Sequence, residues 1–225
     1  MNKLLEATVE EIFTSIQGEG PYIGVKQLFV RFCGCNLQCA YCDTMTGSEN
    51  AKTYDTDKLA ERINAETDIH SVSITGGEPL LHSEFLAELI PKLNVPVYLE
   101  TNGTMSKELK KVISFVDFIA ADYKLKSAAG RDLTEQHEEF LSVCSQFNKE
   151  VFLKVVFDEN ITENEISEIT GLAKKFNVLL VLQPMMKNDK LVPCSVIMQE
   201  VFNKCVSDYQ NVRLIPQTHK FLNLM

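Results

Sequence analysis

Three cysteines stand close together in the stretch RFCGCNLQCAYCDT: Cys35, Cys39 and Cys42, separated by three and two residues. Thiolates at this spacing can wrap one cubane iron–sulfur cluster and leave its fourth iron without a protein ligand. A small molecule can chelate such an open iron. Zinc is the competing occupant. A structural zinc site wants four closed ligands, usually as two separated pairs. The sequence has no second C-x2-C pair and no H-x3-H, so zinc would have to recruit Cys33. Cys33 ends the apolar run LFVRFC, where alternation puts Phe29, Arg31 and Cys33 on one face. Gly34 then breaks the strand, which favours a packed strand-end thiol. Cys144, Cys194 and Cys205 lie in apolar helical patterns and read as buried small hydrophobes.

Other polar motifs could serve the same chemistry. TGGEP (Thr75–Pro79) offers two glycines, which let backbone approach a ligand closely and supply amide donors. An amino-acid group on an open iron needs such donors. Glu78 can accept from an ammonium or cap the helix that follows. Glu100 and Asn102 suit hydroxyl recognition, as of a ribose, although Asn102-Gly103 also fits a plain turn. Lys124 and Gln183 add a donor and an amide.

The elements that must position these residues alternate along the chain. Strands are expected at Gln27–Phe32, Ser71–Thr75, Val97–Glu100, Phe115–Ala121, Val151–Phe157, Leu179–Leu182 and Val212–Leu214. Helical patterns fall near Thr56–Glu66, Ser83–Leu93, Lys107–Ser114, Leu133–Phe147, Glu163–Lys175 and Ser195–Asp208. Thr162 and Glu165 form a capping box. Asp55 or Thr56 can cap the first helix, and Ser83 and Ser106 others. Strand–helix alternation at this period means βαβ units and a mainly parallel sheet. Runs such as FVRF, LKVVF and VLLVL fit strands covered on both faces. Right-handed crossovers curl such a chain into an open sheet or a barrel. Ligands then gather at the carboxyl ends of the strands, where the cysteines, TGGEP, ETNGT, ADYKLKS and QPMM all fall.

Composition narrows the function classes. The chain has 225 residues, 45% hydrophobic and 24% charged, with a net charge of −9. Those proportions fit a globular protein and exclude disorder as the main state. No basic run supports a broad nucleic-acid surface. No apolar run approaches the ~20 residues of a spanning helix, and the acidic N-terminus lacks a signal-peptide core. A single cytoplasmic domain over residues 1–225, with no nucleic acid and no membrane, is the expectation.

The cysteine motif, with Tyr41 before the last cysteine, and TGGEP resemble the signatures of radical S-adenosylmethionine enzymes. EIFTSIQGEGPYIG (Glu11–Gly24), Cys42-Asp43-Thr44, ETNGT and PQTHKFLNLM (Pro216–Met225) narrow the resemblance to the 7-carboxy-7-deazaguanine synthase family. The resemblance implies an α/β fold, a modified, incomplete (β/α) barrel with mainly parallel strands. It implies conversion of 6-carboxy-5,6,7,8-tetrahydropterin to 7-carboxy-7-deazaguanine with loss of ammonia, on the way to queuosine or archaeosine. A reduced [4Fe-4S] cluster would cleave S-adenosylmethionine to a 5′-deoxyadenosyl radical, which takes hydrogen from C6 of the substrate and is later restored. A Mg2+ ion, a homodimer and an electron donor such as flavodoxin or ferredoxin are implied as well.

Carried over residue by residue, the resemblance puts the cluster on Cys35, Cys39 and Cys42 and magnesium on Thr44. Tyr41, Cys42, Asp43, Gly77, Glu78 and Asn102 would meet the adenosyl cofactor. So would Asp122, Tyr123, Lys124 and the loop Gln183, Pro184, Met185 and Met186. Ile16, Gln17, Gly18, Glu19 and Thr75 would meet the pterin, with Glu100, Gln217 and His219. Arg31 would pair with the substrate carboxylate, and Met225 would lend its terminal carboxylate. Two rivals remain: an activator of glycyl-radical enzymes, which shares the cysteine spacing, and a non-catalytic zinc-binding protein.

Overall fold

The computed structural model describes residues 5–39, 42, 51–188 and 190–224. The chain opens with two antiparallel strands, β1 (Glu6–Ile16) and β2 (Lys26–Phe32), and β3 (Lys52–Asp55) runs back along β1. Strands and helices then alternate: α1 (Thr56–Asn64), β4 (Ser71–Gly76), α2 (Ser83–Leu89), β5 (Val97–Thr101), α3 (Ser106–Val112) and β6 (Phe118–Tyr123). The pattern continues through α4 (Lys126–Ala129), α5 (Thr134–Gln146), β7 (Glu150–Phe157), α6 (Glu163–Phe176) and β8 (Leu179–Pro184). A small hairpin, β9 (Met186–Lys187) and β10 (Lys190–Leu191), precedes α7 (Ser195–Asp208), β11 (Val212–Leu214) and α8 (Thr218–Phe221).

Nine strands form one sheet in the order β11-β8-β7-β6-β5-β4-β2-β1-β3. From β2 to β11 every neighbour is parallel. The architecture is the incomplete (β/α) barrel of mainly parallel strands that the resemblance implies. Among the described residues no helix is long and apolar enough to cross a membrane.

The side-chain period of two sorts the strands into two faces. Leu28, Val30, Phe32, Val72, Ile74, Leu99, Ile119, Leu153, Val155 and Leu180 point outward and are buried with α1, α2, α3, α5 and α6 residues such as Leu59, Leu86, Leu109, Phe140 and Ile169. The inner face differs along its length. At the amino end Tyr98, Ala120, Phe152 and Val181 form a second apolar cluster, capped by Tyr22. Along β2 and β4 the inner face is polar, with Gln27, Ser73 and Thr75, and toward the carboxyl end it carries Asp122, Lys154 and Gln183. The expectation of strands apolar on both faces is therefore corrected: the barrel interior carries the polar half.

Local signals behave unevenly. The Thr162–Glu165 capping box is present and Asp55 caps α1. Ser83 and Ser106 do not cap; their hydroxyls donate to Glu108 and Glu139. The strand expected from Phe115 begins only at Phe118, because Ile113–Phe115 forms a 3-10 turn. β1 was not anticipated. It pairs antiparallel with both β2 and β3, and only Ala7 and Val9 are buried along it. A register shift between Val9 and Glu11 accommodates Glu10, whose carboxylate accepts from Cys33 Sγ at 3.1 Å. Cys144 and Cys205 are buried as expected, but Cys194 is exposed just before α7.

His137 on α5 braces the outer side of the barrel rim. Its ring stacks on Tyr123 with centroids 4.3 Å apart, its Nε2 accepts from Lys124 N at 3.1 Å, and it bonds the Gly103 backbone. Burial drives its pKa from 6.5 down to about 4, so the native ring is neutral. Between those values the unfolded chain binds the extra proton, and stability falls as pH drops. His137→Phe should lower stability by about 1–3 kcal/mol at pH 7, because Lys124 N–H loses its acceptor. That difference should shrink as pH falls from 6.5 to 4, read from urea midpoints across the range.

Candidate active site

A cavity of about 490 Å³ opens at the carboxyl ends of the strands. That size suits a small-molecule ligand. Cys35, Cys39 and Cys42 line it and none of them is in a disulfide. Burial pushes the Cys39 thiol up, with Lys124 acting against that and Asp122, Cys35 and Cys42 adding to it. The three sulfurs thus share one electrostatic neighbourhood. Among the described residues no group of three His, Cys, Asp or Glu converges on a point that would hold a single ion. A cubane asks for less convergence, since each thiolate takes its own iron.

Backbone contacts set where the cysteine loop begins. Gly77 N donates to Phe32 O at 3.2 Å and Glu78 N to Gly34 O at 2.8 Å. A Cβ on Gly76 would lie 2.1 Å from Phe32 O, and Gly76 has φ of +135°. A Cβ on Gly77 would lie 2.2 Å from Gly34 O and 3.0 Å from Cys35 Cβ. The two glycines therefore serve a close approach to the cysteine loop. The Gly77 and Glu78 amides are spent on that loop rather than held ready for a ligand.

Glu78 completes the clasp. Its buried carboxylate accepts from Leu80 N, Asn102 N and Thr101 Oγ1 at 2.7–3.0 Å. Burial pushes its pKa up to about 7, against the pull of those bonds. It caps the 3-10 turn after TGGEP, so the capping alternative is the one realised, and it stands behind the cavity wall. Asn102 Nδ2 donates to Asn36 Oδ1 at 2.7 Å, and Asn102 Oδ1 accepts from Thr104. The turn at Asn102 thereby holds the cysteine loop as well.

The floor is a fixed polar network. Glu100 accepts from Gln17 Nε2 at 2.9 Å, Ser73 Oγ at 3.1 Å and Thr75 Oγ1 at 3.0 Å. Gln17 is tied further to Gln27 and to Glu19 N. Glu19 accepts from Lys154 at 2.5 Å and Gln217 at 2.8 Å. Burial works to raise the Glu19 pKa, but Lys154 foremost, with Gln217 and His219, brings it down to about 2. Arg31 lines the cavity and pairs with Glu11 at 2.7 Å. Asp122 is likewise held below the usual carboxylate range: burial opposes this, and Lys124 and Lys154 overcome it.

The structure gathers most of the expected residues. Ile16, Gln17, Gly18, Glu19, Arg31, Thr75, Gly77, Glu100 and Asn102 line the one cavity, as do Asp122, Lys124, Gln183, Met185, Met186, Gln217 and His219. Tyr123 and Pro184 do not, because strand alternation turns them to the outer face beside the inward Asp122 and Gln183. Tyr123 bonds Thr134 there. Cys33 is a part-buried strand-end thiol on Glu10. Tyr41, Asp43, Thr44 and Met225 lie outside the described residues. Lys154 also lines the cavity and is absent from the expected set; its signal is a lysine inside the apolar run LKVVF.

A family model described as the radical SAM superfamily matches residues 29–168. A 7-carboxy-7-deazaguanine synthase from Geobacter sulfurreducens is 36% identical, covering 96% of this chain and 97% of its own length. One from Archaeoglobus fulgidus is also 36% identical, covering 98% and 100%. The chain belongs to the 7-carboxy-7-deazaguanine synthase family of radical SAM enzymes. Among solved structures, QueE from Escherichia coli matches with a TM-score of 0.65 at 21% identity over 94% of both chains, a likeness of fold. Family membership carries a [4Fe-4S] cluster and S-adenosylmethionine. The cavity fits them: three thiols share it, and Asp122 Oδ1 and Gln183 Oε1 are buried acceptors on its wall without partners among the described residues.

The clasp makes a measurable demand. Gly77→Ala should destabilise the fold by about 1–3 kcal/mol through overpacking and lower the iron bound per chain after anaerobic reconstitution. Gly171→Ala, whose Cβ would meet nothing within 4 Å, should leave iron content unchanged.

Proposed function

We propose that the protein converts 6-carboxy-5,6,7,8-tetrahydropterin to 7-carboxy-7-deazaguanine with loss of ammonia, as its relatives' name states for their product. One observation carries this reading: the Glu100 carboxylate, immobilised by Gln17, Ser73 and Thr75, lies in the same cavity as the three cysteines. A fixed anion suits the N–H donors along the edge of a pterin. Its three protein donors cannot reorganise cheaply, so the edge is recognised in one orientation.

Arg31 supplies the opposite charge. Its guanidinium would exchange Glu11 for the substrate carboxylate, a bidentate match of planar groups. Glu19 stays ionised and adds a second acceptor, with Gln217 and His219 beside it. Cys35, Cys39 and Cys42 would hold the cluster, and Asn102, Asp122, Lys124 and the Gln183–Met186 stretch would surround the cofactor. When bound, the cluster and S-adenosylmethionine supply a 5′-deoxyadenosyl radical for hydrogen abstraction at C6. The residues around the cavity orient the pterin so that C6 faces that end and limit access of water.

Thr44 is proposed as a magnesium ligand, since hard oxygen suits that ion, and the Met225 carboxylate as a substrate contact. Tyr41 and Asp43 are proposed beside the cofactor. The whole chain is proposed to work as one cytoplasmic domain, as a homodimer, reduced by a flavodoxin or ferredoxin.

Anaerobic reconstituted protein, incubated with S-adenosylmethionine, the tetrahydropterin and dithionite, should yield 7-carboxy-7-deazaguanine by mass analysis. Unaltered pterin in the presence of an intact, reducible cluster would refute the assignment. Arg31→Ala should raise the KM for the pterin by about tenfold or more with a smaller change for the cofactor. Thr44→Ala should keep its iron and lose magnesium activation.

A further inference from the structure

Lys154 occupies the middle of the strand EVFLKVVF with its side chain 13% exposed. Its ammonium is held from two sides, by Glu19 Oε2 at 2.5 Å and Asp122 Oδ2 at 3.2 Å. Asp122 is its register partner on β6, so strand pairing itself builds that contact. Lys124 lies 3.0 Å from the same Asp122 oxygen, and Gln217 donates to the other Glu19 oxygen. A continuous row, Lys124–Asp122–Lys154–Glu19–Gln217, thus crosses the cavity. Its two ammonium groups and two carboxylates neutralise one another, which the loss of water requires.

The row joins the two ends of the cavity. Glu19 comes from the β1–β2 connection, among the residues assigned to the pterin. Asp122 comes from the end of β6, on the cofactor side, and its Oδ1 is a buried acceptor with no partner among the described residues. We propose that Lys154 is the positioning residue that keeps Glu19 and Asp122 ionised at one separation, so that both the pterin and S-adenosylmethionine depend on it. The inference rests on the proposed function.

Electrostatics agree with the geometry. Burial disfavours a charged Lys154, but Asp122, Glu19 and Glu100 more than offset it and keep it protonated. The groups facing Glu19 are Lys154, Gln217 and His219. Without Lys154, burial is opposed by Gln217 and His219 but no longer by a bonded ammonium, and the Glu19 pKa rises.

The test measures equilibrium binding to the reconstituted, unreduced holoenzyme, with the tetrahydropterin and S-adenosylmethionine as separate probes. Wild-type pterin affinity should be flat between about pH 6 and 8, since Glu19 is fully ionised there. In Lys154→Met it should fall about 30-fold or more, as for truncating one partner of a buried charge pair. The affinity should improve as pH rises across that window. Affinity for S-adenosylmethionine should fall as well, and Lys154→Arg should restore the flat profile. A uniform, pH-independent loss for the pterin, or unchanged cofactor affinity, would overturn the inference. Should Lys154→Met not fold, Lys154→Gln in a Glu19→Gln chain removes both charges together. There cofactor affinity should drop through Asp122 alone, and a wild-type value overturns the proposal. A wild-type protein that binds no tetrahydropterin would instead sink the proposed function along with it.

Discussion

Two stretches of backbone meet where no side chain fits. Gly76 and Gly77, at the end of β4, lie against Phe32 and Gly34, at the end of β2. That contact decides where the cysteine loop leaves the sheet, and so where a cluster can sit relative to the barrel. Glu78 extends the clasp to β5 through Thr101 and Asn102. Asn102 in turn reaches back to Asn36. Three strand ends are thereby locked into one rim, beside the cavity that Cys35, Cys39 and Cys42 line.

The interior is organised by charge balance. A parallel sheet covered by helices on its outer face can bury a polar inner face only if each polar group finds a partner. Here the partners come in two sets. Neutral donors fix Glu100, while ammonium groups fix Glu19 and Asp122. The exceptions among the described residues, Asp122 Oδ1 and Gln183 Oε1, sit on the cavity wall, where an incoming ligand can satisfy them. The amino end of the same face is closed by Tyr98, Phe118, Phe152 and Tyr22. The Gly20–Tyr22 turn that delivers Tyr22 follows directly on Gln17–Glu19. One connection both plugs the barrel and supplies the floor of the site.

Much of this was legible in residue order. The Cys35, Cys39 and Cys42 spacing names a cluster motif because three thiolates within eight residues can reach one cage. β2, β4, β5, β6, β7, β8 and β11 follow from apolar runs, whereas the short β3, β9 and β10 do not, and the Thr162–Glu165 box marks one helix start without ambiguity. β1 escaped because its outer half faces solvent and its acids, Glu10 and Glu11, break the apolar alternation. Tyr123 and Pro184 were grouped with their neighbours because a motif names a segment, whereas a strand sends successive side chains to opposite faces.

Sequence alone determined the chemistry on offer: thiolates for a cluster, glycines for a tight passage, and an arginine and acids for a charged ligand. Residue type and local spacing suffice for that, since they act over a few positions. Tertiary structure alone decided the partnerships. Lys154 meets Glu19 across 135 residues, Gln217 meets Glu19 across 198, and Gly77 packs on Gly34. Such contacts depend on which strands lie side by side and which face each residue takes. That is set by the collapse of the whole sheet and its helices, which no local stretch of chain encodes.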